Sequence, residues 1–312
     1  MGKIAFLFPG QGSQAVGMGS SLCDADSRSR ECFAEADRIL GYSLSKLCFE
    51  GPEDELRLTA NAQPALLTAS VALLPLFEEA GIRPDFVAGH SLGEYSALVA
   101  AGAMSFSDAL RTVRQRGLLM EEAVPAGQGA MSAVLGLGRE AVETACREVS
   151  GAGGGAVEPA NYNCPGQLVI SGEKRAVEAA GEKCKEAGAR RVVSLPVSGP
   201  FHSSLMKPAA DRMEEVLKEF EVSDAQIPVV ANVSATPQQE AEKIRRSLVE
   251  QVSSPVLWED SMRWMVNEGV DTFIEIGSGN VLTGLVRKVE RRVTALSVQD
   301  KDSFQKVLDK LA

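Results

Sequence analysis

Asp85-Phe86-Val87-Ala88-Gly89-His90-Ser91-Leu92-Gly93-Glu94 passes from an apolar run to a helix-forming run across a single five-residue turn. Asp85 to Ala88 reads as a short buried strand, and Glu94 to Ala101, rich in small residues, reads as a helix. The turn between them, Gly89 to Gly93, fits G-x-S-x-G, in which a serine sits on a tight strand-to-helix bend with its hydroxyl pushed above a sheet. The two glycines permit the crowded backbone of such a bend. A strand that runs straight into a helix belongs to an α/β sheet, where ligands bind beyond the carboxyl ends of the strands.

Upstream, Ile4 to Phe8 predicts another buried strand, and Pro9-Gly10-Gln11-Gly12-Ser13-Gln14 predicts the loop leaving its carboxyl end. A dinucleotide fingerprint would need glycine at position 15, which is Ala15, so the Rossmann reading is discarded. Helical patterns run from Arg28 to Leu40, from Gln63 to Glu79 and from Ser107 to Glu122. Between Gly129 and Pro196 the rhythm becomes strand (Ala130 to Leu135), helix (Arg139 to Val149), strand near Val157, strand (Gln167 to Ser171), helix (Lys174 to Ala187) and strand (Arg191 to Leu195). That β-α-β-β-α-β order predicts an inserted ferredoxin-like subdomain over 128–196, between two pieces, 1–127 and 197–312, of a larger α/β domain. Strands near Val229 to Ala231 and Thr272 to Ile276 complete the α/β pattern.

Composition narrows the function. The 312 residues are 45% apolar and 24% charged, ordinary for a globular enzyme. A net charge of −10 argues against non-specific nucleic-acid binding, which needs a basic surface. Six cysteines are scattered with no C-x-x-C pair, and with only two histidines neither a zinc site nor a histidine-rich metal centre is predicted. Apolar stretches such as Pro64 to Phe77 read as shorter than a membrane span, and Ile4 to Phe8 is too short for a signal h-region. The expectation is a cytoplasmic protein with no membrane or nucleic-acid partner.

Serine is a weak nucleophile unless a base removes its proton. Of the two imidazoles, His90 adjoins Ser91 on a sharp turn and points away from it, which leaves it to hydrogen-bond beneath the elbow. His202, in Pro200-Phe201-His202-Ser203-Ser204, is the candidate base. A tetrahedral intermediate needs N–H donors from the residue after the nucleophile and from a neighbouring loop, places held by Leu92 and Gln11. On the helix from Ser107, Leu110, Val113, Gly117 and Met120 form the core stripe. Arg116 lies closest to that stripe, Arg114 further off and Arg111 almost opposite. A half-buried Arg116 suits either a structural salt bridge or a bidentate grip on a substrate carboxylate.

With those residues in place, the chain from Ile4 to Val289 resembles the malonyl-CoA:acyl carrier protein transacylases and the acyltransferase domains of fatty-acid and polyketide synthases. The resemblance is carried by Phe8 to Gln14, Gly89-His90-Ser91-Leu92-Gly93-Glu94-Tyr95, Arg114-Gln115-Arg116-Gly117, Asn161-Tyr162-Asn163-Cys164-Pro165-Gly166-Gln167, Phe201-His202-Ser203, Gln251 to Pro255 and Glu275-Ile276-Gly277. It implies a hydrolase-like α/β fold with a parallel sheet core and the ferredoxin-like insertion. It also implies Ser91 as acyl-bearing nucleophile, His202 as base, Gln11 and Leu92 as oxyanion hole, and Arg116 as clamp for a malonyl carboxylate. Asn161 and Asn163 are implied to bind substrate, and Gln251 to orient His202 through its main-chain carbonyl, so that truncating the Gln251 side chain is predicted to be mild.

The implied reaction moves malonyl from malonyl-CoA to the phosphopantetheine thiol of acyl carrier protein, with no bound cofactor and no metal. Gly277-Ser278-Gly279-Asn280 departs from the family pattern, where proline and lysine often occupy 278 and 280. Phe201 before His202 fits a preference for malonyl over methylmalonyl. The rival readings are a serine esterase or thioesterase sharing the elbow, for which water is the acceptor, and a non-catalytic carrier-protein docking module.

Overall fold

The computed structural model describes residues 2–125 and 127–311. Its ten strands, in chain order, are β1 (Lys3–Phe8), β2 (Phe86–Gly89), β3 (Gly129–Leu135), β4 (Val157–Cys164), β5 (Gln167–Glu173), β6 (Arg191–Ser194), β7 (Val229–Val230), β8 (Pro237–Gln238), β9 (Val270–Ile276) and β10 (Thr294–Val298). They form two sheets. One has six strands in the order β10-β9-β1-β2-β7-β8, and the other has four in the order β4-β5-β3-β6.

In the larger sheet every pairing is parallel except the closing β7–β8 hairpin. Strand β1 sits at its centre because it is apolar on both faces, as a strand covered by helices on each side must be. Phe6 and Phe8 enter one core with helices Thr59–Val71 and Phe106–Glu122, while Ala5 and Leu7 enter a second core with Trp258, Met262 and Met265 of helix Trp258–Asn267. The register Phe8↔Gly89 brings the carboxyl ends of β1 and β2 level, so their following loops meet.

The smaller sheet is antiparallel throughout. Together with helices Arg139–Gly151 and Lys174–Glu186 it makes the expected β-α-β-β-α-β unit with its own core around Val134, Val142, Ile170 and Val177. Strand β4 is longer than expected and runs through Asn161 and Asn163 to Cys164. Strands β8 and β10 were not expected: β8 is two residues long, and β10 is an edge strand of mixed polarity.

The helix expected from Gln63 begins four residues earlier and breaks at Ala72 to Leu73, giving Thr59–Val71 and Leu74–Glu79. Proline favours the first turn, yet Pro64 stands inside this helix. Without an N–H it frees the carbonyl of Ala60, which accepts instead from Arg114 Nη1 at 2.6 Å. The run Thr59–Glu79, at 21 residues with mean hydropathy 1.3, is long and apolar enough to cross a membrane, which corrects the expectation that apolar stretches fall short of a span. It is a core element here, with 78% of its most apolar window buried within the fold.

Candidate active site

The elbow forms because glycine alone fits its two flanks. A Cβ at Gly89 would stand 1.8 Å from the Gly93 carbonyl carbon, and a Cβ at Gly93 would stand 2.1 Å from the Phe8 carbonyl oxygen. Ser91, between them, takes φ 51°, a left-handed conformation that bulky L-residues rarely hold. Gly10 closes the same junction from β1, since a Cβ there would meet the His90 carbonyl oxygen at 2.3 Å. The bend is therefore fixed by backbone contact between the ends of β1 and β2.

Above the elbow, Ser91 Oγ lies 2.7 Å from His202 Nε2, and His202 Nδ1 lies 2.8 Å from the Gln251 carbonyl oxygen. A carbonyl can only accept, so Nδ1 carries the proton and Nε2 is left bare to receive one from Ser91. Burial, reinforced by the positive charge of Arg116 and opposed by the Gln251 hydrogen bond, pushes the His202 pKa down to about 3, so the imidazole is neutral. His202 also holds a left-handed φ of 58°. Among the described residues no carboxylate hydrogen-bonds this histidine.

Arg116 is 1% exposed, Arg114 is half-buried and Arg111 is exposed, the ranking expected from the helix face. Its guanidinium donates to three neutral acceptors: Gln63 Oε1 at 2.8 Å, Gln251 Oε1 at 2.8 Å and Ser91 Oγ at 3.2 Å. It also lies 5.7 Å from the centre of the Tyr95 ring, and its Nε is buried with no partner among the described residues. Gly117 lets this helix approach so closely, since a Cβ there would meet Ala60 Cα at 2.7 Å.

Beneath the elbow lies a second layer of contacts. Asn232, just past β7, accepts from Ser91 N at 2.7 Å and donates through Nδ2 to the Gly89 carbonyl at 2.7 Å. Gln251 Nε2 reaches the Ser91 carbonyl at 3.0 Å, Glu94 Oε2 at 2.9 Å and Asn232 Oδ1 at 3.3 Å. The Gln251 side chain thus joins Arg116 above to the elbow below. These contacts count against a mild effect of truncating the side chain, and the main-chain carbonyl of Gln251 meets His202 where expected.

A cavity of about 300 Å³ opens over Ser91 and is lined by Gln11, Leu92, Arg116, Met131, Asn161, Phe201 and His202 among others. The N–H groups of Gln11 and Leu92 have no acceptor among the described residues. The Gln11 side chain points elsewhere, to Thr59 Oγ1 at 3.1 Å. Asn161 lies on the cavity wall, but Asn163 does not: its Oδ1 is 2.8 Å from His90 Nε2, in a half-buried pair packed beside Trp258. Asn163 thus supports the elbow from behind, and burial lowers the pKa of its partner His90. No three His, Cys, Asp or Glu side chains cluster closely enough to hold a metal ion among the described residues.

Three residues of this arrangement were missed in the sequence: Gln63, Glu94 and Asn232. Glu94 left a readable signal, a lone charge inside the small apolar helix that follows the elbow, and such a charge demands partners. Gln63 and Asn232 left none, since each acts through a contact more than fifty residues away in sequence.

An elbow serine paired with a neutral histidine, a buried arginine beside both and free N–H donors around one cavity define an α/β enzyme of the acyl-transferring kind. The chain belongs to the acyl transferase domain family, which matches residues 5–303. It is 55% identical over 311 residues to a Bacillus subtilis protein named malonyl CoA-acyl carrier protein transacylase, covering 100% of this chain and 98% of the relative. The crystal structure of an acyl carrier protein S-malonyltransferase from Vibrio cholerae superposes with a TM-score of 0.95 at 47% identity, covering 98% of this chain and 99% of the other. A malonyl-transacylase solved in complex with a type II PKS acyl-carrier protein superposes with a TM-score of 0.96 at 48% identity, covering 99% of each chain.

Proposed function

We propose that this chain transfers a malonyl group from malonyl-CoA to the phosphopantetheine thiol of acyl carrier protein through an ester on Ser91, in the cytoplasm, for fatty-acid or polyketide synthesis. Arg116 carries the reading, because a fully buried guanidinium 3.2 Å from Ser91 Oγ serves a substrate with a negative charge close to its reacting carbonyl. Malonyl-CoA is such a substrate, and the similarity to named malonyl transacylases supports the choice.

Ser91 Oγ attacks the thioester carbonyl while His202 Nε2 takes its proton, and the N–H groups of Gln11 and Leu92 receive the charge that builds on the carbonyl oxygen. The tetrahedral adduct collapses, the C–S bond breaks, and His202 returns the proton to the departing coenzyme A sulfur. In the second half-reaction the carrier's thiol attacks the Ser91 ester, His202 takes the thiol proton, and the same proton restores the Ser91 hydroxyl. Asn161 contributes to the wall of the acyl site, and residues 128–196 form a unit that closes the cavity from one side. Six free cysteines, five of them buried, suit a reducing compartment.

A serine esterase or thioesterase would share the elbow but not require Arg116. The test is intact mass after brief exposure to malonyl-CoA, followed by addition of holo-acyl carrier protein. The expected result is one malonyl adduct, lost on addition of the carrier and recovered on the carrier's thiol. Loss of the adduct to water at the same rate with and without carrier would make the chain a hydrolase.

A further inference from the structure

The positive charge of Arg116 is buried among neutral acceptors, yet a negative charge lies one amide away. Arg116 Nη2 donates to Gln251 Oε1 at 2.8 Å, and Gln251 Nε2 donates to Glu94 Oε2 at 2.9 Å. The amide cannot be turned round, because its oxygen faces a guanidinium and its nitrogen faces a carboxylate and two further acceptors. Glu94 is 3% exposed, and Oε2 also accepts from Asn232 N at 3.0 Å. We propose that Glu94 is the counter-charge of Arg116, relayed through Gln251, and that it sets how tightly the guanidinium grips a substrate carboxylate.

This rests on the reading of Arg116 as the malonyl clamp. Accepting two N–H bonds would not by itself require a carboxylate, since a glutamine oxygen has the lone pairs to do the same. What the carboxylate adds is charge. Buried charges interact over several ångströms through a low effective dielectric, so Glu94 and an incoming carboxylate compete for one guanidinium. A clamp without this opposing charge would hold a malonyl group, or free malonate, more strongly and release it less readily. Glu94 is thus a positioning and tuning residue and touches no reacting atom.

Burial pushes the Glu94 pKa up to about 7, against the hydrogen bonds from Asn232 and Gln251 and the charge of Arg116. Its charge therefore changes near neutrality. The other titratable groups around it stay fixed there: the guanidinium of Arg116 on helix Phe106–Glu122 is not deprotonated in proteins, the Tyr95 phenol is pushed up to about 12, and His202 is pushed down to about 3. Asn232 and Gln251, which face it from the end of β7 and from helix Ala241–Ser253, do not titrate.

The experiment measures KM and kcat for malonyl-CoA and acetyl-CoA from about pH 5.5 to 8.5 in the wild type and in Glu94→Gln, with circular dichroism to confirm folding. In the wild type, KM for malonyl-CoA is expected to fall as pH drops through about 7, because protonation removes the opposing charge, while KM for acetyl-CoA stays level. In Glu94→Gln, KM for malonyl-CoA should be lower by roughly tenfold at pH 8 and no longer follow pH, a change equal to about 1.4 kcal/mol. A wild-type malonyl KM that ignores pH, together with a malonyl KM unchanged at pH 8 in Glu94→Gln, would overturn the proposal. So would a folded Glu94→Gln that shifts both thioesters equally or keeps the wild-type profile. If the wild type takes no malonyl from malonyl-CoA, the functional reading fails instead, before the Glu94 question arises.

Discussion

The two sheets contribute to the cavity in different ways. From the larger sheet come Gln11 after β1 and Ser91 after β2, at carboxyl ends of neighbouring parallel strands, with Asn232 after β7 holding Ser91 from beneath. Their placement is set by backbone: glycines with no room for a Cβ, a strained serine and a hydrogen bond from the Ser91 N–H to Asn232 Oδ1. From the smaller sheet come Met131 on β3, Asn161 on β4 and Leu195 just past β6, which reach the cavity as side chains on a wall. One sheet places the reacting groups and the other shapes the space. Changes on the first side should therefore cost chemistry, and changes on the second should alter selectivity.

The sharpest break of that contrast is Ser91→Ala. It is expected to abolish both the malonyl adduct and transfer, as read by intact mass and by carrier loading; an adduct in this variant would place the acyl group elsewhere. His202→Ala should slow both half-reactions by roughly 10² to 10⁴, the usual contribution of a general base. Single-turnover rates for each half measure this, and slowing confined to one half would remove His202 as the shared base.

Arg116→Ala should lower malonyl transfer by roughly a hundredfold to a few thousandfold, since breaking a buried charged pair costs about 3 to 5 kcal/mol. Acetyl transfer should change little. Equal losses for the two thioesters would make Arg116 structural. Gln251→Ala removes a hydrogen bond to a guanidinium and one to a carboxylate, and should cost roughly ten- to a hundredfold in kcat/KM for malonyl-CoA. A change under twofold would mean that the main-chain carbonyl alone matters.

The smallest effect is expected on the wall. Met131→Ala enlarges the cavity and should leave kcat/KM for malonyl-CoA within about tenfold, while raising that for malonyl groups with an added alkyl branch, because a methylene in a pocket is worth only about 1 to 3 kcal/mol. A loss as large as that of His202→Ala would show that the smaller sheet also takes part in the chemistry.

The sequence alone placed the elbow, the inserted β-α-β-β-α-β unit and the burial order of three arginines on one helix, because each is written in local periodicity and spacing. It also singled out His202, since a chain with two histidines offers few bases. What only tertiary structure decided is the layer beneath Ser91. The Gln251 side chain, whose truncation the sequence predicts to be mild, joins Arg116 to Glu94, and Asn163, read as a substrate contact, pairs with His90. Pro64 standing inside a helix became intelligible only when Arg114, fifty residues on, was found on the carbonyl that it frees. Polar side chains carry no periodic signal of their own. Their roles depend on which donors and acceptors the packed helices and strands bring within about 3 Å, a distance set by the whole fold and not by neighbours in the chain.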